Sequence, residues 1–273
     1  MTGEDWFDRQ KISATTRPWW FWRYLLRYAG GPVVGTFGRL AISGSISPEL
    51  LRGPLLIAPN HIGNVDAFAL SAAMGRIGLE PRFLVTAGIM QAPVAGKLLE
   101  RSGSLRVNRG REDAQRSMEL INLALHSGAH LVIYPEGHLT LDPDWWPEKG
   151  KTGLARLALE HQVPVIPVSQ WGAHEMIKYE NPRAMLGSLV SSVWRQPLIQ
   201  IHFGAPVDLS GLAMGRTGDA NRARNRIDAA ITRGVRDLRQ HELDQVKFAD
   251  ETRPAANRST AAFPGGIVPD NIP

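Results

Sequence analysis

His61 and Asp66 stand five residues apart in the run Asn60-His61-Ile62-Gly63-Asn64-Val65-Asp66, which follows the apolar stretch Leu55-Leu56-Ile57-Ala58. An imidazole takes up a proton near neutral pH. A carboxylate beside it fixes the tautomer and stabilises the imidazolium, so the pair can serve as a general base. Placed at the end of a strand, such a histidine sits where open α/β sheets gather their sites. Spacing alone does not select this pair, because the 8 histidines meet an aspartate at that separation roughly 0.4 times by chance.

A second candidate, Tyr134-Pro135-Glu136-Gly137-His138, closes another apolar run. Proline cannot continue a central ladder and glycine allows close backbone approach, so the run either presents Glu136 at a strand edge or simply makes a turn. Cations follow: Arg106 and Arg109 after Gly103, and Lys149 with Lys151 ahead of a helical stretch. They suit a phosphate, or they are ordinary surface charges. Three lookalikes fail. Gly150-Lys151-Thr152 lacks the first glycine of a phosphate loop, since Trp145 stands in its place. His126 and His130 are four apart, but Ser127-Gly128 ends the helix that would align them on a metal. No Gly-x-Ser-x-Gly elbow occurs. The absence of cysteine removes disulfides, Cys-ligated zinc, iron–sulfur clusters and thiol nucleophiles.

The elements that must hold these groups alternate. Apolar runs at 55–58, 82–85, 105–107, 130–134, 163–168 and 198–203 read as strands, and 66–74, 112–126 and 153–160 carry helical spacing. This pattern predicts an α/β domain, a mainly parallel sheet flanked by helices, over residues 43–248. Residues 219–247, with arginines and acids interspersed, read as a solvated surface helix and not as a nucleic-acid arm. Residues 249–273, rich in proline and poor in apolar groups, read as a flexible tail.

Residues 1–42 read as an amphipathic, interfacial helical segment. Its run at 17–28 sets six aromatics beside three arginines and no acid. As a helix broken by Gly30, Gly31 and Pro32, that run suits a membrane surface, or equally a docking place on its own core.

Composition sets the outer limits. With 273 residues, 43% hydrophobic and 21% charged, the chain is long enough to bury a sizeable core, and disorder, collagen and coiled coil are excluded for its bulk. Its 31 Lys+Arg exceed 26 Asp+Glu by +5, which favours anionic partners. No eighteen-residue apolar run occurs, and Glu4, Asp5 and Asp8 stand where a secretory signal would be basic. The expectation is a protein kept in the cytoplasm, without a spanning helix.

In order, four blocks resemble the lysophospholipid and glycerolipid acyltransferase family, in particular its bacterial 1-acylglycerol-3-phosphate acyltransferases. They are Asn60-His61 with Asp66; Pro93-x-x-Gly96 leading to Gly103 and Val107-Asn108-Arg109; Tyr134-Pro135-Glu136-Gly137; and Val163-Pro164-Val165-Ile166-Pro167-Val168, preceded by Lys151-Thr152-Gly153. The resemblance covers roughly residues 53–172. It implies an α/β domain with N-terminal membrane-contacting helices and a direct acyl transfer. His61 would deprotonate an acceptor hydroxyl and Asp66 would orient it; Arg109, Glu136 and Gly137 would bind the acceptor; and Asn60, Arg106 and Lys151 would offer phosphate or donor contacts. The donor would be acyl-CoA or acyl-carrier protein, and the product phosphatidic acid. No metal or bound cofactor is needed. The expected setting is peripheral, at the cytoplasmic face of the membrane.

Three positions depart from the family. Gly63 replaces a serine or threonine, Thr86 a frequent lysine, and Leu139 the arginine expected to grip the acceptor phosphate. The same chemistry on another lysolipid or glycolipid is therefore the alternative. A lipid-binding protein without catalysis is a third reading, against which the joint presence of His61, Asp66 and Glu136 argues.

Overall fold

The computed structural model describes residues 3–16, 20–24, 28–63, 65–91, 95–107, 111–177, 182–242, 262–270 and 272. Helices α1 (Gly3–Thr15), α2 (Trp20–Tyr24) and α3 (Gly30–Phe37) precede β1 (Arg39–Gly44) and β2 (Leu55–Pro59). There follow α4 (Asp66–Arg76), β3 (Pro81–Thr86), α5 (Ala87–Met90), α6 (Ala95–Arg101), β4 (Leu105–Val107), α7 (Arg111–His126) and β5 (His130–Val132). The chain closes with α8 (Thr152–His161), β6 (Val165–Trp171), α9 (Pro182–Arg195), β7 (Leu198–Phe203) and α10 (Asp219–Leu238). The seven strands form one sheet in the order β1-β7-β6-β2-β5-β3-β4. Every pairing is parallel except β6 with β7, so the sheet is mainly parallel, as expected.

Both faces of β2 are buried, which is why it reads as a continuous apolar run. Leu56 and Ala58 join one core with Leu131, Val165 and the apolar faces of α7, α8 and α10. Leu55 and Ile57 join the other with Val132, Ile166, Ile201 and α4. This two-sided burial brings the C-terminal ends of β2, β5 and β6 to one sheet edge, from which the candidate residues project.

Several sequence-based expectations are corrected. Gly30, Gly31 and Pro32 start α3 instead of ending a helix, because a proline in the first turn forfeits no intrahelical hydrogen bond. Of the run at 17–28, residues 20–24 are helical, and 17–19 and 25–27 lie outside the described residues. The helix expected at 219–247 ends at Leu238 and is not merely solvated. Ala223, Ile227, Ile231 and Val235, four apart, are buried, and the helix packs on β6 and α8. Within the segment read as a flexible tail, Ala262 donates its N–H to Pro147 O at 2.8 Å and Val268 is buried. Gly266 lies so close to Trp146 that a Cβ there would fall 2.3 Å from the ring. Among the described residues no helix is long and apolar enough to cross a membrane.

Candidate active site

His61 follows β2 by two residues, and its backbone is fixed on both sides. Its N–H donates to Glu136 Oε1 at 2.8 Å, and its carbonyl accepts the N–H of Thr140 at 2.7 Å. Its ring Nδ1 is 3.0 Å from Asp66 Oδ2, and one ring face stacks on Tyr134 with centroids 4.0 Å apart. Asp66, fully buried at the start of α4, also accepts the N–H groups of Ile62 and Gly63 at 2.7 and 2.8 Å on that oxygen. A carboxylate oxygen so engaged has only lone pairs to offer, so Nδ1 must be the donor. The lone pair of the neutral ring then resides on Nε2. The side chain is 23% exposed, so an incoming hydroxyl can reach it.

Glu136, expected among the acceptor contacts, is 3% exposed and faces inward. Oε1 holds the N–H of His61, and Oε2 accepts the N–H of Glu148 at 2.9 Å. Burial pushes its carboxyl well above the usual range, the backbone N–H groups of Glu148 and His61 oppose this, and the nearby Glu148 and Asp228 add to it. It therefore clamps the His61 loop against the loop before α8. Gly137 makes the turn beside it at φ 72°, a left-handed conformation suited to glycine. A Cβ there would lie 2.9 Å from Lys151 Nζ, so the exposed Lys151 side chain is close to this turn, and the lysine's N–H bonds Pro135 O at 2.8 Å.

The remaining expected residues are dispersed. Asn60, read as a phosphate or donor contact, is buried and ties β2 to β6. Its amide donates to Gln170 O at 3.0 Å, and its Oδ1 and main-chain oxygen accept from Gln170 N–H and Nε2 at 2.7 and 2.9 Å. Arg106 lies on β4, three strands from β2, and its N–H donates to Gln10 Oε1. Arg109, Pro93 and Asn108 lie outside the described residues. His138, next to Gly137, sits 3.4 Å from Glu148 Oε2.

Three supports escaped the sequence reading. Tyr134 had only its place beside Pro135 to recommend it, and its stacking depends on how β2 and β5 pair. Thr140, besides holding His61, donates its hydroxyl to Trp146 O at 2.7 Å, and Asp142 Oδ1 caps the N–H groups of Asp144 and Trp146. Asp228 of α10 accepts the N–H of Gly150 at 3.0 Å, and burial pushes its carboxyl up to about 7, against the Gly150 N–H, Arg224 and Lys149.

The family model described as Acyltransferase matches residues 42–171. A lyso-ornithine lipid O-acyltransferase of Pseudomonas aeruginosa is 34% identical over 125 residues, which are 45% of this chain and 45% of that protein, so the match spans less than half of the relative's length. The crystal structure of the 1-acyl-sn-glycerophosphate acyltransferase PlsC from Thermotoga maritima superposes with a TM-score of 0.59 at 18% identity. The superposition covers 80% of this chain and 81% of that one, a likeness of fold.

Proposed function

We propose that the chain, whose residues 42–171 match the Acyltransferase family model, is a lysophospholipid or glycerolipid acyltransferase that moves a fatty acyl group from acyl-CoA or acyl-carrier protein to the free hydroxyl of a lysolipid. The observation that carries this reading is the reachable His61 ring whose Nδ1 is held by Asp66. Nε2 takes the hydroxyl proton as the oxygen attacks the thioester carbonyl. The new C–O bond forms, the C–S bond breaks, and the proton passes to the departing thiolate. General-base catalysis of this kind contributes about 10²- to 10⁴-fold, and positioning adds to it.

For the acceptor we favour a lysolipid without a phosphate monoester. Leu139 supplies no charge where the family's arginine would grip phosphate, and one charge-assisted hydrogen bond contributes about 1.5–3 kcal/mol. Lyso-ornithine lipid, the acceptor in the name of the Pseudomonas relative, is the first to test. A second reading, 1-acylglycerol-3-phosphate giving phosphatidic acid, is favoured by the exposed Lys151 beside Gly137. The setting in either case is peripheral, at the cytoplasmic face of the membrane.

The experiment is free-thiol release from acyl-CoA by the purified protein, with each acceptor at equal concentration and the product identified by mass. We expect acceptor-dependent release, greatest with lyso-ornithine lipid and lost in His61→Ala. Preference for 1-acylglycerol-3-phosphate would promote the second reading, and undiminished release by His61→Ala would overturn the mechanism.

A further inference from the structure

Helix α9 is built inside out for a helix in water. Its sequence, PRAMLGSLVSSVWR, turns Ser188 and Ser192 inward, where both are buried. Their hydroxyls donate within the helix, to Met185 O and Leu189 O. Leu186, Val190 and Trp194, four residues apart and so on one stripe, are 64%, 47% and 77% exposed. Arg183 and Arg195 flank the stripe, both exposed, and the helix contains no acid.

The helix is also tied to the edge that bears the base. Arg195 Nη2 donates to Glu175 O at 3.0 Å, in the single turn Ala173–Glu175 that follows β6. That turn abuts the His61 loop, since a Cβ on Gly63 would lie 3.3 Å from His174 Cα. Phe68, two residues past Asp66, and Leu141, next to Thr140, are exposed as well.

We propose that the Leu186–Val190–Trp194 face of α9 docks on an anionic lipid bilayer surface, as a contact separate from the aromatic N-terminal run, and sets the His61 edge beside the lipid from which the acceptor comes. This rests on the reading of a lysolipid acceptor. The occupant is chosen on chemistry: apolar side chains enter the interface, tryptophan favours the headgroup boundary, and two exposed arginines on a helix that itself carries no acid match anionic headgroups.

The test is sedimentation of the full chain with phosphatidylcholine vesicles, with and without phosphatidylglycerol. In L186S/V190S/W194S, partition onto the anionic vesicles should fall about tenfold or more, with unchanged circular dichroism. Trp194→Ser alone should lose part of the same partition, which keeps the proposal testable should the triple variant misfold. R183Q/R195Q should weaken binding to the anionic vesicles only. Undiminished partition of the serine variants would overturn the proposal. So would a wild-type dimer that L186S/V190S/W194S turns into a monomer with vesicle binding intact, because the face would then bind a second copy. Sedimentation needs neither donor nor acceptor, so a chain that binds vesicles through α9 yet acylates no lysolipid would overturn the enzymatic reading and not this one.

Discussion

At the scale of single residues, the His61–Asp66 pair was legible because its geometry is local. His61 and Asp66 are five apart, and a short loop leading into a helix brings the carboxylate back to the ring, where it also caps the N–H groups of Ile62 and Gly63. Glu136 was legible as a residue but not in its direction. Nothing in Pro-Glu-Gly says whether the carboxylate faces a ligand or the chain, and only the pairing of β2 with β5 sets it under the His61 loop. Its two oxygens hold two backbone N–H groups, and a buried donor left unpaired costs about 1–3 kcal/mol. In Glu136→Gln the amide group must turn its own donors toward one of those N–H groups. The variant is expected to lose stability of that order in urea titrations and to lower kcat more than KM, since the loop of the base shifts while the acceptor surface stays. A KM effect with unchanged kcat would instead mark Glu136 as an acceptor contact.

At the scale of elements, strands buried on both faces were read well because they are near-continuous apolar runs, as at β2 and β6. Helices that hide a narrow stripe among charges were read less well. In α10 the stripe Ala223, Ile227, Ile231 and Val235 is spaced four apart between arginines, and with α9 the outward face is the apolar one, so no inward periodicity announces it. The same α10 places Asp228 under the loop before α8, a contact more than seventy residues long in sequence and invisible to spacing. Asp228 is held near Gly150, Lys149, Arg224 and Glu136. Its folded pKa of about 7 exceeds the unfolded value near 3.9, so the folded state binds the extra proton between the two. Stability must therefore fall as pH rises from about 4 to about 7, by at most about 4 kcal/mol from this group. Asp228→Asn keeps an acceptor for the Gly150 N–H and removes the titration. It is expected to flatten the Tm-against-pH profile over that window and to exceed the wild type in Tm at pH 8. An equally steep decline in the variant would assign the slope to other groups.

For the whole molecule, the fold class followed from alternation, but the strand order and the reversal between β6 and β7 did not, because they are set by long-range packing between cores on the two faces. The N-terminal segment shows this most clearly. Read as interfacial, it is in part built into the domain: Ala14 is fully buried, and α1 packs along α7. The fastening is Arg82 on β3, whose guanidinium donates to Ser13 O and Ala14 O at 2.9 Å each and to Thr16 O at 2.7 Å. These are carbonyls at the end of α1, which lack intrahelical partners and carry the negative end of the helix dipole, so a buried cation is well placed there. Ser127 adds a hydroxyl bond to Ala14 O at 3.0 Å. Arg82→Met keeps much of the apolar stem and deletes all three donations, at a cost of about 2–3 kcal/mol. The loss should be directional. Amide hydrogen exchange of residues 3–16 is expected to accelerate well before that of β2, β5 and β6, because α1 can part from the sheet while both cores stay closed. If instead every element loses protection together, α1 is an inseparable part of the folding unit, and the N-terminal segment cannot move toward a membrane independently of the site.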